Sequence, residues 1–227
     1  MLISLFALFF GAAFAQTTMQ PAPNVSPVAS VTTTPATVSG ATVPNAKDSP
    51  TTVIKNYTEE LKNVVEIKDP QKKGVKDTTR ETTIASKVNQ FFDFQELARQ
   101  SLGANWSKQK VADRQKFSKL FISLIEESYL KRSRSLVSDY SVSFTNETVH
   151  KNKATVTSRV AQKDASVDIT YDLHRKSNKW MIYNITFDNV NLVRNYQSQF
   201  TQIIKKKGFA GLIKSMEERL KSPESDV

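Results

Sequence analysis

The spacing of apolar positions is helical in the first half of the domain-sized part of the chain. Ser49-Pro50 reads as a helix start, with a capping hydroxyl followed by proline at the first helical position. Asp93 heads a capping-box pattern that opens a short helix, and Gly103 ends it. A longest helix is predicted to begin at Ser107. The three main apolar faces are Val53, Tyr57, Leu61 and Val64; Ile84, Val88, Phe91 and Phe92; and Phe117, Leu120, Phe121, Leu124 and Ile125.

From about Asp139 the period changes to two, which is typical of strands with one apolar and one polar face. Short polar connections at Lys151-Asn152-Lys153, Lys163-Asp164 and Ser177-Asn178 predict antiparallel neighbours. The apolar phase slips at Tyr183-Asn184, so the last strand has either a bulge or two buried faces. The inward-facing residues are predicted to be Tyr140, Val142, Phe144, Val156, Val160, Val167, Ile169, Tyr171, Leu173, Trp180, Ile182, Ile185 and Phe187.

Helical spacing returns after Asn189, and a last amphipathic helix follows Gly208. Helices, a meander and more helices predict an α+β fold, with the helices packed on a curved four-stranded antiparallel sheet. The corner between the last strand and the next helix is more apolar than a sheet edge requires. We therefore expect the sheet and helices to enclose a hydrophobic space for lipid.

The N-terminal 15 residues are an apolar run ending in Ala13-Phe14-Ala15, which predicts a signal peptide cut after Ala15. A buried helix or a retained anchor is the alternative. Residues 16–48 are rich in Pro, Thr and Ser and are predicted to be a disordered tether before a domain at 49–221 and a tail at 222–227. With no cysteine in the chain, these features favour the periplasm.

The net charge of +10 predicts attraction to an anionic partner but does not say whether that partner is nucleic acid, anionic lipid or an acidic protein. An exported chain whose basic residues are not interleaved with aromatics argues against nucleic acid. Docking on anionic headgroups or acidic partners is favoured, and a merely solvated basic face is the alternative. The basic residues are Lys108, Lys110, Arg114, Lys116, Lys119, Lys131, Arg132 and Arg134, and Lys205, Lys206 and Lys207.

Candidate catalytic or metal-binding residues are few. His150 and His174 have no matching His or Cys spacing for zinc, so no metal site is predicted. Asp168 and Asp172 are two strand steps apart on the polar face, where Arg159 of the preceding strand can pair across. No phosphate-binding glycine loop or nucleophile elbow occurs. We therefore predict no catalytic residue and no enzyme activity.

The order and spacing of several short motifs resemble the MlaC, or toluene-tolerance, family of periplasmic phospholipid carriers. The resemblance covers roughly residues 49–220. Its parts are Phe92-Asp93-Phe94, Leu97-Ala98, Leu102-Gly103, Trp106, Arg114-Gln115, Phe117, Phe121 and Tyr129, then Trp180, Tyr183, Val190, Leu192-Val193, Asn195-Tyr196, Phe200, Gly208 and Leu212-Ile213.

The sequence departs from the family pattern at three places near the corner. Asn184 stands where the family usually has Asp, Asn189-Val190-Asn191 replaces a Gly-Val-Ser turn, and Tyr196-Gln197 replaces a Tyr-Arg pair. Asn tolerates the left-handed conformation, so we expect the turn to survive. Losing the acid and the arginine together indicates a dropped ion pair.

The resemblance implies a soluble shuttle with phospholipid as cargo and no cofactor. Its implied partners are an outer-membrane lipoprotein-porin complex and an inner-membrane ABC transporter with an MCE-domain ring, and its implied role is to maintain outer-membrane lipid asymmetry. The candidate lipid-contacting residues come from the apolar faces above, with ordinary core packing as the alternative for each. They are Phe117, Phe121, Leu124, Val142, Phe144, Val160, Ile169, Tyr171, Trp180, Tyr196 and Phe200.

Three alternatives remain open. The same scaffold could carry another lipid such as a hopanoid. An interaction module, for example a chaperone for envelope proteins, needs no cargo at all. The sheet-and-helix cone also resembles small NTF2-like isomerases and dehydratases, which need a carboxylate or histidine facing the cavity.

Overall fold

A computed structural model describes residues 49–66, 78–133, 140–162 and 165–221. The predicted signal peptide, tether and tail lie outside these residues, as do the Lys163-Asp164 connection and the side chains of Val64 and Tyr129. The helices are α1 (Pro50–Glu66), α2 (Thr78–Phe91), α3 (Phe94–Leu102), α4 (Val111–Ser133) and α5 (Leu192–Lys221). The strands are β1 (Ser141–His150), β2 (Lys153–Gln162), β3 (Ala165–Lys176), β4 (Lys179–Phe187) and β5 (Val190–Asn191). The order is that of an α+β fold, as predicted.

The predicted helix signals are confirmed for α1 and α3. The Ser49 hydroxyl accepts a hydrogen bond from the Thr52 amide at 3.1 Å, and Asp93 accepts one from the Glu96 amide at 3.2 Å. Gly103 ends α3 with a φ of 56°, in the region that favours glycine. These boundaries follow because the Ser49 and Asp93 side chains accept from free amides at helix starts, and the Gly103 amide donates to free carbonyls at the end of α3.

The predicted start of α4 at Ser107 is wrong, because the helix begins at Val111. The Ser107 hydroxyl bonds back to the Ala104 carbonyl at 3.4 Å and caps no following amide. Tight turns occupy the residues between, with the Gln109 amide donating to the Trp106 carbonyl at 3.2 Å.

In the described part of the chain the sheet is antiparallel with five strands in the order β1-β2-β3-β4-β5, so the predicted count of four is one too low. The missed strand, β5, has two residues and pairs with the end of β4. Asp188 and Asn189 form the intervening turn with φ values of 45° and 64°. Asn189 thus takes the left-handed conformation expected of it, and β5 escaped prediction because two residues show no period.

The phase slip in β4 is a bulge. Asp172 of β3 lies opposite Asn184 while the next residue, Leu173, lies opposite Ile182, which leaves Tyr183 as the extra residue. The bulge lets Ile182 and Ile185 both face the core although they are three positions apart, and both are buried.

The hydrophobic core lies between the apolar face of the sheet and the helices. Phe92 and Asp93, between α2 and α3, lie alongside β4 at Ile182, a part of β4 that β5 does not reach. The Asp93 amide donates to the Ile182 carbonyl at 2.7 Å. Gly208 interrupts α5 with φ 69° and ψ 174°, as the sequence predicted, so two helical segments pack separately. Within the described ranges, no helix is long and apolar enough to span a bilayer.

Candidate functional site

The structure brings all the predicted lipid-contacting residues into one hydrophobic core. Phe117, Phe121 and Leu124 come from α4, Tyr196 and Phe200 from α5, and the rest from the sheet. Nine are buried, and Val142 and Phe144 of β1 are half-buried. Their role in lipid contact stays a prediction.

Four aromatic residues of α4 and α5, two from each helix, pack against one another. The Phe121 ring lies 4.8 Å from that of Tyr196, and the Phe117 ring 5.4 Å from that of Phe200, both edge to face. Phe121 also meets Phe200 at 5.3 Å. Such pairs stabilise a helix contact beyond their buried area. These rings therefore act first as the joint between the two helices.

The central strands supply the apolar wall that faces the helices. Val160 of β2 and Ile169 and Tyr171 of β3 are almost fully buried. Burial raises the pKa of the Tyr171 hydroxyl above its ordinary value, so this side chain is neutral at physiological pH. Ser158, also fully buried on this face, adds a second hydroxyl to an otherwise apolar wall. Sequence reasoning missed Ser158 because serine in a strand usually faces water.

The wall is less completely covered at β1 than at its centre. Val142 and Phe144 are half-buried, and β1 becomes exposed on both faces after the bulge at Thr145. Because half-buried apolar side chains are the ones a ligand can reach first, β1 is one accessible margin of the core. Trp180, at the other margin, lies under the Arg175 guanidinium at 4.9 Å.

A second aromatic group packs from the N-terminal helices. Tyr57 of α1 lies 5.2 Å from Phe91 and 5.6 Å from Phe92, and Phe92 stacks on Phe94 at 5.4 Å. Tyr57, Phe91 and Phe92 are predicted from the sequence as parts of helix faces, but none of the four is predicted as a candidate lipid contact. Their helical spacing alone does not say that they meet the same core.

The polar side chains once considered for catalysis lie on the opposite, polar face of the sheet. Arg159 pairs with Asp168 across the strands at 2.7 Å and 2.8 Å, as predicted. Asp172 accepts hydrogen bonds from Thr155 and Asn184. Among the described residues, no group of acidic, histidine or cysteine side chains could hold a metal ion.

His174 is more than an ordinary surface residue, because it contacts a buried carboxylate. Its Nε2 lies 3.0 Å from Asp93, and the Lys176 ammonium lies 2.8 Å from the same oxygen. Burial alone would raise the pKa of Asp93, but hydrogen bonds from Lys176 and the Glu96 amide and the nearby positive charges lower it. This carboxylate joins α3 to the polar face of the sheet.

The positions that depart from the family pattern have structural partners of their own. Asn184 is buried, accepts from the Val193 amide at 3.0 Å and donates to Asp172 at 2.7 Å. It therefore fastens the first turn of α5 to the sheet with hydrogen bonds. Gln197 packs closely against Gly103, where any Cβ would collide with its amide.

A groove of about 370 Å³ runs along α4 and includes Gln95 of α3. Lys119 and Glu126 line it, and none of the predicted lipid-contacting residues does. Ile122, which packs against the hydrophobic core, also lines the groove, so the groove reaches the outer edge of that core.

The chain belongs to the MlaC protein family, whose sequence model matches residues 55–218. The resemblance found in the sequence is thus confirmed. Among solved structures, the fold is similar to that of a phospholipid-binding protein from Ralstonia solanacearum in complex with a phospholipid, with a TM-score of 0.65 and 20% sequence identity. The match covers 75% of this chain and 96% of that chain. Comparison with curated protein sequences gave no match.

Proposed function

We propose that this protein is a periplasmic phospholipid carrier that shields acyl chains and shuttles lipid between an outer-membrane lipoprotein-porin complex and an inner-membrane ABC transporter with an MCE-domain ring. Transport of this kind would maintain outer-membrane lipid asymmetry. The observation that carries the proposal is membership of the MlaC family over residues 55–218. The shared fold with a protein solved in complex with a phospholipid supports it.

The physical requirement for a carrier is large. At about 0.8 kcal/mol per CH₂, exposing two ordinary acyl chains to water costs on the order of 20 kcal/mol, so unassisted crossing is very slow. An apolar wall such as Val160, Ile169 and Tyr171 can replace that water. Sequestration of this kind requires no catalytic group.

The margin formed by Val142 and Phe144 is where we place the first contact with cargo. The aromatic rings of α4 and α5 already contact one another, whereas these two side chains retain exposed area. Acyl chains entering beside β1 would reach the apolar wall without dismantling the joint between α4 and α5.

The decisive experiment is native mass spectrometry of protein purified from cells, followed by lipid extraction. Diacyl phospholipid at fixed stoichiometry is the expected result. If the extracted lipid is polycyclic, the cargo is a hopanoid-like lipid and not a phospholipid. Protein that is empty under conditions that preserve other lipid complexes would contradict carriage and favour an interaction module.

A pair of variants on one strand tests the entry margin. Phe144→Ser should reduce retained lipid several-fold, because it replaces apolar contact area by a hydroxyl. Val149→Ser is the matched control, since Val149 lies on the same strand and is 43% exposed. Retained lipid is measured per mole of folded protein. Equal retention in wild type and Phe144→Ser would place the entry elsewhere.

A charge at Phe121 would test the pocket less cleanly. That ring is 1% exposed and contacts three other aromatic rings. An unpaired charge there would destabilise the fold itself, so lost lipid would have two explanations.

A further inference from the structure

The ring contacts between α4 and α5 establish which ends of the two helices lie together. The Phe121 ring contacts Tyr196, and the Phe117 ring contacts Phe200. Moving four residues toward the N-terminus of α4 therefore moves the contact four residues toward the C-terminus of α5. The helices are therefore antiparallel. Lys206 lies six residues, about 9 Å at 1.5 Å per residue, after Phe200, and Val111 lies six residues before Phe117, so both residues lie toward the same end of the helix pair. The first turn of α4 and the end of the first α5 segment thus share one end of the molecule.

This end carries a dense set of exposed lysines around an exposed apolar residue. We call it the basic end and define it as Lys108, Lys110, Val111, Lys205, Lys206 and Lys207. All of its lysines are exposed, and Val111 is 67% exposed. Within the part of the chain that the structure describes, none of these lysines forms an ion pair, whereas Lys116 nearby pairs with Glu217 at 2.8 Å. Asp113, in the first turn of α4, is the acidic residue closest to them in sequence.

The geometry of Lys205, Lys206 and Lys207 favours a broad surface over a single pocket. Successive helical residues point about 100° apart, so three in a row cover most of the helix circumference. All three stand immediately before the break at Gly208, and the stem of Lys207 lies beside Gly211 of the next segment. No atom lies within 4 Å of where a Gly208 side chain would begin, so the approach is open.

We propose that the basic end docks on an anionic membrane surface. The lysine ammonium groups contact lipid phosphates, and Val111 enters the interfacial layer, as expected for a basic patch with an apolar tip. Trp106, half-buried beneath the Arg114 guanidinium at 5.6 Å, lies in the turn that leads into this end. Docking would bring the protein to a bilayer before any exchange of cargo. It does not depend on the proposed carriage.

Vesicle flotation of the full mature chain tests this docking. The vesicles contain either phosphatidylcholine alone or an equal mixture of phosphatidylcholine and phosphatidylglycerol. Flotation is expected only with the anionic mixture, strongly at about 0.01 M salt and weakly at about 1 M, where the Debye length falls to about 3 Å. The triple variant K205Q/K206Q/K207Q should bind about 100-fold more weakly, from roughly fivefold per lysine. Val111→Ser should reduce the binding that survives at high salt.

The matched control is K151Q/K153Q/K179Q, which removes the same charge from exposed lysines in the β-hairpins. Its binding should stay within about twofold of wild type, and circular dichroism should show both triples folded. Equal loss in the two triples would overturn the proposal, because net charge alone would then explain binding. Wild type that ignores anionic vesicles would also overturn it and would favour an acidic protein partner. Lipid content by mass spectrometry is read separately, so failed carriage and failed docking are distinguishable.

Discussion

Removing the Asp93 carboxylate should weaken the contact between α3 and the sheet and lower the free energy of unfolding. The side chain is 4% exposed and accepts hydrogen bonds from the Glu96 amide, His174 and Lys176. Asp93→Ala removes all three. Asp93→Asn keeps an oxygen that can cap α3 but removes the charge, so the pair of variants separates capping from ion pairing.

The structure sets the expected magnitude. Loss of a helix N-cap costs about 1 kcal/mol. The hydrogen bond with partly buried His174 adds about 1 kcal/mol, and Lys176, whose side chain is 52% exposed, adds about 0.5 kcal/mol. Relief of the carboxylate's desolvation offsets a part of this sum. We expect Asp93→Ala to lower the free energy of unfolding by about 2 kcal/mol and Asp93→Asn by about 1 kcal/mol.

The effect of Asp93→Asn should depend on pH. The folded environment lowers the pKa of Asp93 below its ordinary value of 3.8, so the unfolded chain binds the proton more tightly. The carboxylate's contribution is therefore fully present above the unfolded pKa and is lost as the pH falls through the folded pKa. Glu96, whose pKa its Arg99 partner lowers, is present in both proteins and cancels in the comparison.

Urea titrations at pH values from about 7 to about 3 measure this difference, provided that the slope against urea is unchanged. The difference between wild type and Asp93→Asn should shrink as the pH falls below the unfolded pKa of the Asp93 carboxyl group. A difference that persists unchanged at about pH 3 would refute the electrostatic reasoning. Equal losses in the alanine and asparagine variants would refute the contribution of capping.

Two further changes test the corner and the helix break. Asn184→Asp places a second carboxylate against Asp172, so it should lower the thermal midpoint at pH 7. The midpoint should recover as the pH falls below about 5, since paired carboxylates have a raised pKa. A loss independent of pH would contradict this. Gly208→Ala should destabilise by about 1–3 kcal/mol in chemical denaturation, because φ 69° with ψ 174° is a region almost restricted to glycine and no neighbour would clash. An unchanged midpoint would show that the break relaxes freely.

Local signals account for the parts of the fold that were predicted well. Ser49, Asp93 and Gly103 act on amides and carbonyls within a few residues, so their roles are legible in sequence. The Arg159–Asp168 pair was predicted because a short connection between strands leaves little freedom of register. The bulge at Tyr183 was predicted from the one-residue shift in the alternation of apolar residues.

The errors and omissions have physical causes of a different kind. The two residues of β5 pair with β4 only because the turn at Asp188 and Asn189 folds them back. Asp93 meets His174 across 81 positions, a contact that neither residue signals locally. The candidate lipid contacts were predicted as faces, yet nothing in their spacing distinguished the α4–α5 joint from the margin at β1.

The amino-acid sequence by itself determined the element types, several helix ends, the apolar face of each strand and the family. Tertiary structure alone decided which faces meet, that Asp93 is buried beside His174, and that α4 and α5 run antiparallel. The reason is that hydrogen bonds at caps and turns are local and directional, whereas burial of apolar surface is non-directional. A periodic pattern therefore predicts which side of an element is buried. Only the packed chain shows which other element that side contacts.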